Sequence, residues 1–567
     1  MSHRQTLYVN GTILTMDDAN PETDAVLTQD DRILAVGAEA DLRHQAEAGV
    51  AVHDLQGCTM LPAFIDPHGH FPDPGFIKLF RVDLAAPPRG DCTDMKTAIR
   101  RLRAKAAETP KGEWVMGVLF DNTAISERRM PTRAELDSVS TDHPVWVLHA
   151  SGHVGTANSY TLRLQGIDRH TPDPVGGRFG RDPETGALTG VIEGISAMGA
   201  MGNTDFLIDR TRFWDGFAAC RDEYLAHGVT YAQNAWASLD LLTHFASLPE
   251  GTDPGIDLML LPIGELEPGL SQGDTPLDWP ETPYFSLGPR KLFTDGAFQM
   301  QTAFLSAPYH KPSNGDAPNG MTYVERDTHM REVRKLHELG FQIHCHCNGD
   351  AGSDMFLDAV EAALEVAPRT DHRHTIIHGQ VLRDDQLQRM ARLGVTVSFF
   401  SAHIHFWGDR HLDTFLGPQR AARISPAGSA ERFGVRYTLH NDASVTPTRP
   451  LHLAHCAVNR LSASGQSLDD NQKISAFAAL RAQTIDAAWQ VFQEHERGSI
   501  TKGKLADFVV LSGNPLEHPA EIQNRKILFT IRRGQCVFQA SEASLSPRQA
   551  PVDGHEKPHA DSEAAAP

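Results

Sequence analysis

The sequence predicts an α/β protein: a (β/α)8 TIM-like barrel, a small β-sandwich domain built from both termini, and an α/β insertion after barrel strand 1. Three observations predict it. From about residue 213 onward, short apolar runs alternate regularly with helical segments. The two ends of the chain share a β-rich texture, broken by turn residues. Between the first barrel run and the next lies a long stretch with elements of its own, too long for a loop.

Taken in order, Leu7–Val9, Thr12–Thr15, Ala25–Leu27 and Arg32–Gly37 read as strands, separated by Asn10-Gly11, Asn20-Pro21 and Asp30-Asp31. Leu505–Leu511, Ile527–Ile531 and Cys536–Phe538 match them at the far end. Residues 1–59 and 498–540 therefore make the composite β domain, and 60–497 the barrel. Within the barrel, 84–205 is the insert. It holds a helix from Thr93, its expected N-cap, to Glu108, with Met95, Ile99, Leu102 and Ala106 on one face. It also holds strands at Trp114–Val118 and Val145–His149, and a hairpin across 176–186.

The barrel strands expected after the opening run are Val229–Ala232, Ile256–Pro262, Lys291–Asp295, Phe341–Cys347, Thr375–His378, Val395–Phe400 and Tyr437–Asp442. Helices separate them, notably Asp327–Leu339 closed by Gly340, Asp354–Ala367 stopped by Pro368, and Asp384–Leu393 closed by Gly394. An open doubly wound sheet is the alternative, but no glycine-rich phosphate turn supports it. The tail, 541–567, is rich in Pro, Ala, Ser and charge and is expected to be disordered.

The bulk numbers bound the function. The chain has 567 residues, 40% hydrophobic and 22% charged, an ordinary soluble balance. A net charge of −20 argues against nucleic acid or an anionic membrane as partner and leaves a small-molecule substrate. Seven cysteines without a small-domain pattern suit a reducing compartment. The first ten residues lack a signal-peptide pattern, and no apolar run is long enough to span a bilayer. A cytoplasmic enzyme is expected, with a homo-oligomer left open.

In a barrel, chemistry gathers at the C-terminal ends of the strands. Those ends carry His68 and His70, Lys291, His344 and His346, His378, His403 and His405, and His440 and Asp442. His68-Gly69-His70 puts two imidazoles on one side of an extended backbone, in reach of one metal ion. Each residue alone reads as readily as packing. Their convergence favours a site for Zn²⁺ or a similar divalent ion.

These residues bring a family into view. The chain resembles the amidohydrolase superfamily of metal-dependent hydrolases, within it the amidohydrolase-3 group that includes N-substituted formamide deformylases. The likeness rests on 61–70, His149–His153 with Asn158-Ser159, Lys291–Gly296, His346–Asp350, Ile377–Gln380, Asn441-Asp442, and 498–511. It implies that His68 and His70 bind one metal and His346 and His378 a second, so that one or two ions are held. Lys291 would carry a CO2-derived carbamate and bridge them. Asp442 would be a ligand and the catalytic base and acid. The implied reaction is cleavage of a C–N bond of an amide, N-formyl or cyclic amide substrate by metal-bound hydroxide. An esterase or lactonase using the same site is the alternative within enzymes. A non-catalytic scaffold is the other, and the six filled ligand positions argue against it.

Other residues carry lesser expectations. His344 is a second choice as ligand. His403, His405, Trp407 and His440 are candidates for contacting substrate, because the stretch 398–409 and the run Ala443–Pro447 depart from the group's usual patterns. His149, His153 and Glu193 lie in the insert, with structural roles expected. Cys345 and Cys347 alternate with His346 and should face the helices.

Overall fold

The computed structural model describes residues 4–174, 177–199, 210–263, 282–313, 317–541, 543 and 547–548. The fold is α/β, of the TIM-barrel type. Eight strands follow the expected order: β1 Phe64–Asp66, β2 Val229–Ala237, β3 Asp257–Pro262, β4 Arg290–Phe293, β5 Ile343–Cys347, β6 Thr375–His378, β7 Thr396–Phe399 and β8 Tyr437–Leu439. β1–β2–β3 pair in parallel, as do β4 through β8. A bridge from Ile263 to Lys291 links the two sets. Between β8 and β1, Ala482 O accepts from Leu439 N at 3.3 Å and Gln483 O from Ile65 N at 2.8 Å. A short strand not foreseen, Phe285–Leu287, lies beside β3.

The alternation of side chains along these strands decides what meets what. Lys291 is in register with His344, and Phe293 with His346. Leu292, Ile343, Cys345, Cys347, Ile376 and Val397 point the other way, into a core shared with Phe356, Val360, Leu387 and Met390 of the flanking helices. Helix Asp384–Leu393 ends at Gly394 in the left-handed conformation (φ 73°). The second expected helix begins earlier, at Asp350, and runs to Val366.

Strands from both ends of the chain pair directly. Phe508–Leu511 lies antiparallel to Thr59–Pro62, with Met60 opposite Val510. Their six-stranded sheet also takes in Ile527–Arg532, Gln535–Gln539, Thr12–Leu14 and Glu22–Thr23. A five-stranded sheet holds Gln5–Val9, Ala25–Gln29 and Arg32–Gly37. It gains a parallel strand, Ala51–Asp54, whose polar end hid it in the sequence. Tyr8, Ile13, Val26, Ile33, Met60, Phe508 and Phe529 form an apolar cluster between the termini. Most of the expected tail lies outside the described residues, though Pro547–Arg548 pairs with this sheet.

The insert's sheet has six strands, ordered Arg178–Arg181, Leu188–Glu193, Val154–Ala157, Val145–His149, Val115–Phe120 and Val82–Asp83, the last just ahead of the expected start at 84. Its helix is Met95–Glu108, capped by Asp94 and not Thr93: the Asp94 carboxylate accepts from Thr97 N at 2.7 Å. Met95, Ile99, Leu102 and Ala106 are buried as the period requires. Among the described residues no helix is long and apolar enough to cross a membrane.

Candidate metal centre

The chain leaves β1 at Asp66, and His68 and His70 follow at once. Both face the carboxylate of Asp442, beyond the end of β8. His70 Nε2 is 3.2 Å and His68 Nε2 3.6 Å from Asp442 Oδ1. The ligand atoms of these three residues all lie within 4.8 Å of one another. Lys291 Nζ is 3.4 Å from His68 Nε2. From β5 and β6, His346 Nδ1 and His378 Nε2 stand 3.0 Å apart. The rings of His68 and His378 pack edge to face at 5.4 Å, so the six residues form one constellation.

This spacing fits a shared cation. Two nitrogens each about 2.0–2.1 Å from one zinc at a tetrahedral angle are about 3.3 Å apart. Nitrogen and carboxylate donors in this mixture suit Zn²⁺ or a similar divalent ion. Asp442 Oδ1 is buried, with His68 and His70 as its near neighbours. Lys291 fits as a ligand only once its ammonium is neutralised.

The backbone aims these groups. His378 (φ 75°) and Asp442 (φ 50°) take the left-handed conformation just where their strands end. Non-glycine residues there cost of order 1–3 kcal/mol, a strain found mostly at functional sites. Neighbours fix the rings. His440 Nε2 is 3.1 Å from His378 Nδ1, and its other nitrogen is 2.8 Å from Ser398 Oγ. His346 Nε2 meets Gly296 O at 3.0 Å. Asp295, just past β4, accepts from the backbone N–H of Phe304, Asn348 and Gly349 at 2.7–2.9 Å. Its Oδ1 is 3.7 Å from His346 Nε2. Tyr224 likewise donates to Asp66 at 3.0 Å. Neither Asp295 nor Tyr224 was singled out from the sequence. The carboxylate in Thr294-Asp295-Gly296 was the available signal.

Electrostatics prepare the donors. Burial first, then the charge of neighbours including Lys291, drives His68, His346 and His378 well below the usual imidazole range. They are held neutral, the form in which an imidazole binds a cation. Burial works upward on Asp442, but the hydrogen bond and charge of His70, with His440 and Lys291, hold it at about 2. Burial raises Asp66 and Asp295 to about 7 against their hydrogen bonds.

The residues expected to contact substrate divide. The stretch after β7 is a helix, His403–Arg410, and not an extended strand end. On a helix, residues four apart share a face and residues two apart do not. Trp407 therefore packs against His403 with ring centres 4.6 Å apart. His405 turns away to His452, at 4.9 Å. Both nitrogens of His403 are engaged, by Gln299 and His411. His440 is fully buried, packed against the rings of His68 and His378. Trp407 does line a narrow cleft, with Pro87, Arg89, Leu119, Asp121 and Val445. A more open groove lies by Tyr437 at the other end of β8, away from the histidines. His344 lies in register with Lys291, and neither of its nitrogens has a partner among the described residues.

The insert is fastened over this end of the barrel. Arg89 donates to the backbone oxygens of Ser444 and Val445. Asp121 accepts from Trp407 Nε1 at 3.1 Å and pairs with Arg410. Burial opposes the charge on Asp121, but Arg410, His149 and its hydrogen bonds hold it at about 2. That is below the value of about 3.9 for an unfolded aspartate, so its contribution is complete above pH 3.9 and is lost as the pH falls toward 2. Asp121→Asn should cost about 3 kcal/mol at neutral pH by stranding Arg410. It should also flatten the fall in unfolding midpoint below pH 4. Urea unfolding at several pH values measures both, and an unchanged neutral-pH midpoint contradicts the pairing.

Comparison with known proteins adds to this geometry. The model of the Amidohydrolase family matches residues 51–538. The N-substituted formamide deformylase of Arthrobacter pascens is 29% identical over 544 residues, covering 93% of this chain and 97% of that one. The putative amidohydrolase YtcJ of Bacillus subtilis (strain 168) is 26% identical over 564 residues, covering 94% and 99%. Among solved structures, an uncharacterized metal-dependent hydrolase from Pyrococcus horikoshii OT3 superposes with a TM-score of 0.70 at 24% identity, covering 90% of this chain and 98% of that one. That likeness supports the fold.

Proposed function

Since the chain belongs to the Amidohydrolase family and is a metal-dependent hydrolase of non-peptide C–N bonds, we propose that it cleaves an amide, N-formyl or cyclic amide in a small molecule. The observation that carries this reading is the trio His68, His70 and Asp442, with His346 and His378 beside it. In this reading His68, His70 and Asp442 hold one divalent ion, zinc or similar. His346 and His378 would hold a second, and Lys291 would serve as a ligand once converted to a carbamate. A bound ion of this kind lowers the pKa of water from about 15.7 toward 7 and polarises a carbonyl.

The protein's own groups do the rest. Asp442 is ionised and buried, so it can take a proton at a carboxylate oxygen and return it to the departing nitrogen. That transfer makes the amine a neutral leaving group, which amide cleavage needs and ester cleavage does not. His440 and Asp295 hold the imidazoles of His378 and His346 in place. Trp407 contacts the substrate's apolar part. The wider organisation belongs to the same reading: a barrel body over 60–497, with the insert at 84–205, and a two-sheet sandwich from 1–59 and 498–540. So does a cytoplasmic location, which suits the seven free cysteines.

The test is a panel on metal-loaded protein: N-formyl amines, N-acyl amines, cyclic amides, and matching esters and lactones. Turnover of one amide class at least tenfold above its matched ester is expected. Ester or lactone turnover alone would move the reading to the other bond type.

A further inference from the structure

The insert does more than cover the barrel. Its turn His149–His153 lowers one side chain into the site. The His153 ring packs edge to face on His346 at 5.5 Å and lies against Tyr323 at 5.4 Å. It is 8% exposed, and its Nδ1 has no hydrogen-bond partner among the described residues. It is close enough to Asp442, His70 and Lys291 to feel their charges. The turn that carries it is stiff. Ser151 Oγ lies 2.9 Å from His149 Nδ1 and accepts from His153 N at 3.3 Å, while His153 O accepts from Gly194 N at 2.9 Å. Packing needs explain the ring but not the imidazole, since a phenyl group would fill the same space. A buried nitrogen without a partner is costly, and a ligand that bonds to it returns that cost.

We propose that His153 is a substrate-contacting residue, its imidazole N–H donating a hydrogen bond to the carbonyl oxygen of the amide while the carbonyl carbon is attacked. The inference rests on the amide reading above. No covalent step passes through His153. It supplies a fixed dipole from the insert, opposite the groups supplied by the barrel, so the site is complete only with the insert in place. Donors of this kind act on charge that develops as the carbonyl becomes tetrahedral, so the effect falls on kcat.

Two variants test it on the metal-loaded full chain. His153→Phe keeps the ring and removes the N–H; His153→Gln restores a donor without the ring. His153→Phe is expected to lower kcat about 100-fold, with KM within threefold, and metal content and Tm at wild-type values. His153→Gln should recover at least tenfold of that loss. Equal kcat in wild type and His153→Phe overturns the proposal, as does a loss of activity that follows a loss of metal. Failure of the amide reading shows separately, as a wild-type protein inactive on every amide. Calorimetric affinity for acetate, whose carboxylate takes the place of the carbonyl, then decides. Weaker binding by His153→Phe with recovery in His153→Gln supports the contact, and equal affinities overturn it.

Discussion

Asp442→Asn should lower kcat by roughly 10²–10⁴-fold while part of the metal stays bound. The carboxylate is set between His68 and His70, and held ionised by His70, His440 and Lys291. An amide side chain keeps one oxygen for a metal but cannot accept and return a proton. The substitution is clean for a second reason. Position 442 is left-handed, with φ 50°, and asparagine tolerates that region better than almost any residue except glycine. The backbone is therefore expected to stay, and lost turnover reports on the proton. Steady-state kinetics with metal analysis on the same sample checks it. Wild-type kcat in this variant removes Asp442 from the reaction.

Removal of the metal is the other large effect. Dialysis against a chelator should abolish turnover, and added Zn²⁺ should restore it. The apoprotein should also melt lower. A ligand present at about a thousand times its Kd stabilises the folded state by about 4.1 kcal/mol, and the site is built from groups that meet only in that state. Activity assays and thermal melts before and after stripping measure both. A stripped protein that Zn²⁺ cannot reactivate would favour the scaffold reading.

Much of this was legible because strand period and polar placement agree. An apolar strand that ends in histidine violates its own pattern, and five such violations at one end of a parallel series point to one place. His346 and His378, distant in sequence, prove 3.0 Å apart for that reason. The stretch at 398–409 misled because alternating His403, His405 and Trp407 suit a strand as well as a helix, and only packing decides. His405 faces away as a result. His153 and Asp121 were harder still. They act across the boundary between insert and barrel, and no local pattern records which loop will lie over which strand end. Asp295 needed knowledge of three backbone N–H groups supplied by two other segments.

The pairing of Thr59–Pro62 with Phe508–Leu511 bears on how the protein is made. On the ribosome, the first of these segments emerges early and its partner only after the whole barrel. Until then Met60 and Leu61 present an unpaired apolar edge, and β1, which begins two residues after Pro62, lacks its final anchor. Contacts this distant along the chain form late and slow folding. The nascent protein therefore spends its synthesis with an open seam beside the strand that leads to His68, a segment for which a chaperone has the longest use.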